Sequence, residues 1–316
     1  MKIKRIDLSS IDLTNGRYKI GQSLYPQNLI ESLNKVGQIN PVTLIYEDDH
    51  YIVVNGWKRI EALIGSGESF VYANVLSNTE FSNLELMLLN YFDNKPRYTE
   101  LDKASLLLKI KELCNFNDDE LLPILEILSI KPSLNNLRKY LNIASLGPEY
   151  KELFYKEYFS FDQLALISEI KDPDFRNVLF NKLIKLFRFN TNEIRELIRE
   201  IFEISKRDNL SYDQCIDNII SLSGNNTNKN EIKKTIRFIR YPELVKVEKE
   251  FKSKLKSIEN IDNLEINHHP FFETNRVEVK FKVKDIDQFK ETMKELNKNE
   301  IEEIIDSLLT LVKQGK

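Results

Sequence analysis

The sequence predicts a multidomain α+β chain. It has a small mixed α/β domain at the N-terminus, an all-α middle with a helix-turn-helix, and a small C-terminal domain of a β-hairpin plus helices. Three observations carry that reading. Short β-type runs and helical spacing interleave over residues 1–97, and only helical spacing recurs over 98–205. Alternation returns at 264–267 and 277–283, followed by apolar residues at helical spacing. Residues 206–245 combine a helix with a polar, turn-rich connector, so the segments are drawn at 1–97, 98–205, 206–245 and 246–316.

Composition narrows the function classes. A chain of 316 residues, 41% apolar and 30% charged, has room for two or three domains with real cores. The net charge of −3 provides no global positive field, so any nucleic-acid contact must come from a local patch. Cys114 and Cys215 form no CxxC pair, which predicts thiols in a reducing compartment, and three histidines without a Cys/His cluster argue against zinc. Met1–Asp7 lacks the apolar core of a signal peptide, and no apolar run is long enough to span a bilayer. The expected location is the cytoplasm, with no membrane partner.

The first segment reads in order. Ile3–Leu8 is a strand. Gln27–Val36 has Leu29, Ile30, Leu33 and Val36 at helical spacing, with Pro26 at its start and Gly37 at its end. Pro41–Tyr46 is a strand, Glu47–His50 a turn, and Tyr51–Val54 the next strand. A Gly56 turn and a helix to about Gly65 follow, then a strand over Phe70–Val75 and a helix over Asn83–Phe92.

Within this segment one stretch has chemical potential: Val53-Val54-Asn55-Gly56-Trp57-Lys58-Arg59-Ile60-Glu61-Ala62-Leu63. A strand ends in a Gly turn and a helix begins with two cations. Gly permits close backbone approach, the first helical N–H groups lack partners, and Lys58 and Arg59 add donors, so the junction suits an anion. Taken alone, an ordinary tight turn with solvated cations explains it better.

The surroundings shift that balance. Leu33-Asn34-Lys35-Val36-Gly37-Gln38-Ile39-Asn40-Pro41-Val42, followed by Asn55-Gly56-Trp57-Lys58-Arg59-Ile60-Glu61-Ala62, resembles the two leading boxes of the ParB N-terminal domain. There a helix ending in Gly leads through a Gln/Pro strand to a G-x-x-R-x-x-A box. Asp93-Asn94-Lys95-Pro96-Arg97 resembles that family's third box, E-N-x-x-R. The resemblance implies a CTP-dependent DNA clamp of chromosome or plasmid partition. Gly56, Trp57, Lys58, Arg59 and Arg97 would be nucleotide-binding, Asp93 and Asn94 would hold Mg²⁺, and Gln38 and Pro41 would shape the pocket. A carboxylate and an amide oxygen suit a hard cation already on phosphates; a helix end with a Pro turn explains Asn94 and Pro96 equally well. A lone Trp more often packs in a core than on a ligand. Sulfiredoxin shares the fold but needs a catalytic Cys in the second box, where this chain has Trp57 and Lys58. Partition ParBs also carry further Arg residues there. Lys58 lacks the planar guanidinium fork and Glu61 removes a cation, so the resemblance fixes the fold more firmly than the nucleotide.

The middle segment starts with an amphipathic helix over Leu101–Leu113. Asp118–Leu128, Ile130–Ser133 and Leu134–Leu141 read as helix, turn, helix, with Pro123 expected to shorten or kink the first. Exposed on the second helix would be Ser133, Asn135, Asn136, Arg138 and Lys139, residue types that read base edges or hold phosphates of double-stranded DNA. A plain helical hairpin with a solvated polar face fits the same residues. Leu146–Glu149 and Phe159–Ala165 resemble the ParB "L-P-x-x … I-S-x-x-H-A" stretch, with Gln163 replacing the usual His. Lys182, Lys185, Arg188, Arg195 and Arg199 form a basic cluster that either grips phosphates or pairs with Glu193, Glu196 and Glu200.

In the last segments, Tyr212–Leu222 reads as a helix, Ser223–Asn230 as a connector and Val247–Ile258 as a charged helix. The hairpin crosses His268–Thr274, with His268 and His269 in its loop. Helices at about Ile286–Leu296 and Glu300–Val312 follow. The order resembles the ParB C-terminal dimerisation domain. The stripe Ile301, Ile304, Ile305, Leu308, Leu309 and Val312 is core or a homodimer seam. The resemblance does not extend to a ParA-type ATPase partner, because the chain starts almost directly with its first strand. Any hydrolysis is expected to be slow, since no strong general base is evident. Two other readings remain: a ParB-like transcription regulator of a plasmid, phage or mobile element without nucleotide switching, and a ParB-fold nuclease or small-molecule kinase, for which Asp93 or Glu61 would be the carboxylate.

Overall fold

The computed structural model describes residues 3–21, 27–77, 79–224, 228–256, 264–269, 274, 276–297 and 299–314. Pro26, part of the expected connector (225–227), most of the hairpin loop (270–273) and the Ile301 and Val312 side chains lie outside the described residues. The chain is mixed α/β and forms two compact units, 1–172 and 173–316.

The first unit begins with a four-stranded sheet built from β1 (Ile3–Asp7), β2 (Val42–Glu47), β3 (His50–Asn55) and β4 (Phe70–Leu76), in the order β1-β4-β2-β3. β1 runs antiparallel to β4, β4 parallel to β2, and β2 antiparallel to β3. A parallel neighbour needs a crossover, and the hairpin β2–β3 plus α2 (Trp57–Gly65) supplies it. One face of the sheet contributes Ile6, Val42, Leu44, Val53, Val71 and Ala73 to a core closed by Trp57, Ile60 and Leu63 of α2. α1 (Gln27–Val36) packs on α2.

Ile45, Ile52, Val54 and Leu76 belong to a second core. It is filled by α3 (Asn83–Asn94) and α4 (Glu100–Cys114) and extends into α5 (Asp118–Ile127) and α6 (Leu134–Ala144). The helix starts follow local chemistry. Ser82 with Glu85, Thr99 with Asp102 and Asn117 with Glu120 are reciprocal capping boxes, and Asn115 ends α4 in the left-handed region. α7 (Pro148–Tyr155) and α8 (Phe161–Ser168) complete the unit. Gln163, where the resembled stretch has His, closes a capping box with Ser160.

The second unit contains α9 (Pro173–Leu179), a π-helical turn over Phe180–Ile184, α10 (Thr191–Asp208), α11 (Tyr212–Leu222), α12 (Lys229–Arg240) and α13 (Pro242–Lys256). It ends in the antiparallel pair β5 (Leu264–His268) and β6 (Val277–Phe281), then α14 (Ile286–Leu296) and α15 (Asn299–Gln314). Phe251, Ile266 and Leu308 centre a small core joined by Ile304 and Ile305.

Several expectations are corrected. α5 runs through Pro123 to Ile127. The connector yields at Asn228, whose side chain caps α12, a helix the polar composition concealed. His268 is the last residue of β5, its ring edge-on to Phe251, and not a loop residue. Among the described residues no helix is long and apolar enough to cross a membrane.

Asp102 tests this packing. It is buried, caps α4 through Thr99 and accepts the Tyr155 hydroxyl at 2.6 Å. Asp102→Ala removes the hydrogen bonds from Thr99 and Tyr155 and should cost about 2–4 kcal/mol. Urea unfolding measures it, and a loss near zero would contradict the contact.

Candidate nucleotide and DNA sites

The Gly56 junction is dictated by space. Gly56 has φ +106°, and a Cβ there would lie 2.6 Å from Val42 Cγ1 and 2.9 Å from Val42 Cβ. The backbone of the turn therefore lies against the start of β2, which only Gly allows. α2 begins directly after it, without a side-chain cap and without an acidic residue in its first turn. Its first turn instead carries Lys58 and Arg59, at the helix end where the macrodipole disfavours cations.

The cations differ in setting. Lys58 is exposed. Arg59 is half-buried, and its Nη1 donates to the carbonyls of Asn40 at 2.8 Å and Pro41 at 2.6 Å. The Asn40 carbonyl is itself held by Gln38. Its amide donates to Tyr72 O at 2.7 Å and to Asn40 O at 3.1 Å, and its Oε1 accepts from Tyr72 N at 2.8 Å. Burial lowers the Arg59 pKa, Asp93 opposes that change and Arg97 adds to it. A guanidinium remains charged at neutral pH even so. The electrostatics place Asp93 and Arg97 within reach of Arg59.

A hydrogen-bonded path makes the same connection. Asn55, next to Gly56, donates from Nδ2 to Asp93 Oδ2 at 2.8 Å and accepts at Oδ1 from Asn94 Nδ2 at 3.0 Å. Asn94 Nδ2 also reaches Asn90 O at 2.9 Å and Asn90 Oδ1 at 3.0 Å. Tyr98 donates to Asn90 Oδ1 at 3.0 Å, and Asn90 Nδ2 donates to Tyr18 O at 2.9 Å. Asp93 is exposed at the end of α3, and Arg97 is exposed in the short 3-10 turn Lys95–Arg97. Gly56, Asp93 and Asn94 are thus joined through Asn55, with Arg59 in the first turn after Gly56, Lys58 exposed beside it and Arg97 three residues beyond Asn94.

Trp57 occupies a different environment. Its ring is buried in the sheet–α2 core, and its Nε1 finds no hydrogen-bond partner among the described residues. The Lys19 ammonium lies 4.8 Å from the ring centre and also pairs with Glu61 at 2.9 Å. The carboxylate a kinase would use is therefore already engaged.

In the sequence Asn55 carries no functional signal, because Asn-Gly is a common turn signature. Asn90 had a stronger signal. It falls on the apolar face of α3 with Leu86 and Met87, where a buried amide demands partners.

On the helix-turn-helix, the five singled-out residues separate. Ser133 caps α6, accepting from Asn136 N at 3.2 Å, and Asn136 donates its amide to Lys131 O at 2.8 Å. Lys139 pairs with Asp162 at 2.7 Å and lies over the Phe161 ring. Asn135 and Arg138 are exposed, opposite the buried face of Leu137, Tyr140 and Ile143. In the downstream basic cluster, Lys182 pairs with Asp213 and Asp217, Arg199 with Glu200, and Arg195 donates to Asn192.

No family model and no curated protein matches the chain. Among solved structures, it is similar to the C-terminally truncated chromosome-partitioning protein ParB from Caulobacter crescentus complexed to the centromeric parS site. That likeness has 14% identity and TM-score 0.35, covering 62% of this chain and 99% of that one. For the same truncated protein with CTP-gamma-S the values are 13% and 0.27, covering 57% and 100%.

The junction itself is testable. Gly56→Ala should cost about 1–3 kcal/mol from the positive φ alone, with the Val42 clash in addition. Adding Val42→Ala removes the Cγ1 contact but keeps the Cβ contact at 2.9 Å, so the double variant should still melt below Val42→Ala alone. Equal melting of those two would mean that neither the dihedral nor the remaining Cβ contact imposes a cost.

Proposed function

We propose that this chain is a ParB-like DNA-binding protein whose N-terminal part binds a nucleoside triphosphate with Mg²⁺, CTP by the resemblance of its three boxes. The observation that carries the reading is an uncapped helix N-terminus with two cations in its first turn, joined through Asn55 to a carboxylate and an amide. Cations at the positive end of a helix dipole are unfavourable unless an anion shares the site.

The residues fit that ligand. Backbone N–H groups of the α2 first turn would meet phosphate oxygens, with Lys58, Arg59 and Arg97 balancing their charge. Arg59 is oriented by the Asn40 and Pro41 carbonyls, which leaves Nε and Nη2 to donate. Asp93 and Asn94 offer hard oxygen ligands. Among the described residues no group of three His, Cys, Asp or Glu could hold a metal, so a cation here would complete its shell with phosphate and water oxygens. Bound Mg²⁺ would neutralise phosphate charge and fix the phosphate geometry. Trp57 contributes by packing α2 rather than by stacking on the base.

DNA contact is assigned to the exposed face of α6, with Asn135 reading a base edge and Arg138 a base or phosphate. Ser133 and Asn136 hold the turn that presents them. A homodimer through the C-terminal helices has support in the exposed residues Ile286, Phe289 and Met293 along one face of α14.

Binding of radiolabelled CTP, with ATP and GTP as competitors, with Mg²⁺ and with or without operator DNA, tests the reading. CTP-selective uptake strengthened by DNA is expected, and no uptake under any condition would leave a DNA-binding regulator without a nucleotide switch. Arg59→Ala should abolish the uptake with the fold intact by circular dichroism; unchanged affinity removes Arg59 from the site. Arg138→Ala should weaken specific DNA binding by about 1–3 kcal/mol, and an unchanged titration would exclude α6 as the reading helix.

A further inference from the structure

We infer that Asn55 is the positioning residue of the Asp93–Asn94 pair, setting both groups for a divalent cation. The inference rests on the reading above for what accompanies the cation, while its geometry belongs to the chain alone. Asn55 is 6% exposed, at the last position of β3. Its single amide does two different things: Nδ2 donates to Asp93 Oδ2 and Oδ1 accepts from Asn94 Nδ2. An Asp at 55 would have no donor for Asp93, a Leu would satisfy neither, and a Gln would be one methylene too long.

The consequence for Asn94 is directional. Its Nδ2 faces three acceptors, Asn55 Oδ1, Asn90 O and Asn90 Oδ1, all within 3.0 Å. The nitrogen end is thereby turned inward, and the carbonyl oxygen is the end left for a ligand. Asp93 has Oδ2 held by Asn55 and keeps Oδ1 for the same purpose. The two oxygens that suit a hard cation are thus set by one buried side chain. Asn90, 4% exposed and tied to Tyr18 O and the Tyr98 hydroxyl, anchors the far side of Asn94 in the core. Partners that orient metal ligands commonly alter metal affinity by about 10–100-fold.

The test compares wild type, Asn55→Ala and Leu107→Ala, the last losing buried packing in α4 outside this network. Two quantities are measured. The first is the proton-exchange rate of the Asn94 side-chain NH₂ by NMR in protein free of metal and nucleotide. The second is the Mg²⁺ concentration for half-maximal CTP binding, with CTP affinity in EDTA alongside. Asn55→Ala should speed Asn94 exchange several-fold and raise the Mg²⁺ requirement about 10-fold or more. Its EDTA affinity should stay within about twofold of wild type, and Leu107→Ala should change neither quantity. Should Asn55→Ala not fold, Asn55→Ser, too short to reach either partner, takes its place with the same expectations. Unchanged Asn94 exchange, an unchanged Mg²⁺ requirement, or equal losses with and without Mg²⁺ would overturn the assignment. If wild type takes up no CTP, the nucleotide reading has failed, and the positioning role stands or falls on the Asn94 exchange rate.

Discussion

The contact between the Gly56 backbone and Val42 sets the rest of the N-terminal site. With no room for a Cβ, the chain leaves β3 and enters α2 with φ +106°. That reversal brings the α2 first turn beside the loop entering β2, so Arg59 meets the Asn40 and Pro41 carbonyls. It also leaves Asn55 at the strand end, beneath the C-terminus of α3. A bulkier residue at 56 would move the Arg59 side of the site, the Asn55 side or both. The Gln38 amide, paired twice with the Tyr72 backbone, holds the opposite wall against the same sheet.

Much of this was legible because sequence-local chemistry agrees with the fold. The apolar runs in Val42–Glu47 and His50–Asn55 fit strands buried on both faces, the caps at Ser82, Thr99 and Asn117 mark helix starts, and the apolar faces of α4 and α6 report burial by period. The order of the three boxes pointed to Gly56, Arg59 and Asp93 before any geometry. What stayed hidden depends on contacts distant in sequence. The partners of Asn55 are 38 and 39 residues away, and no periodicity encodes that separation. Asn228 looked like part of a linker because Asn, Thr and Lys serve connectors and helix caps alike. Pro123 stayed compatible with α5 through the packing of Leu121, Ile124 and Leu125.

Charge placement separates the cations that can meet a polyanion from those that cannot. Net charge is −3, and several basic residues in the described part are neutralised by neighbours. Lys182 lies between Asp213 and Asp217, and Arg240 between Glu200 and Glu203. Exposed pairs such as those of Lys182 add little stability, commonly about 0–1 kcal/mol, but pairing of either kind lowers the local field available to a phosphate backbone. Lys139 belongs to the paired group, whereas Arg138, one residue earlier, lies on the exposed face of α6. On α6, electrostatics therefore favours Arg138 over Lys139 for the proposed contact to nucleic acid.

α4, which packs against α6, also holds the segment Gly16–Gly21. Tyr18 is buried, its hydroxyl donating to Asn83 of α3 and its carbonyl accepting from Asn90. Lys109 of α4 donates to the carbonyls of Gly16 and Arg17, and Gly21 lies so close to Asp102 of α4 that a Cβ would meet the carboxylate at 2.4 Å. Farther along, Tyr140 of α6 donates to Glu100 at the start of α4. The groups around Asn94 and those presenting Arg138 therefore both bear on α4. Because close-packed interiors transmit displacement rather than absorb it, a movement of the 93–97 turn would bear on Asn90, Tyr18 and α4. If both proposed ligands bind, this continuity of contacts is the path by which one could act on the other.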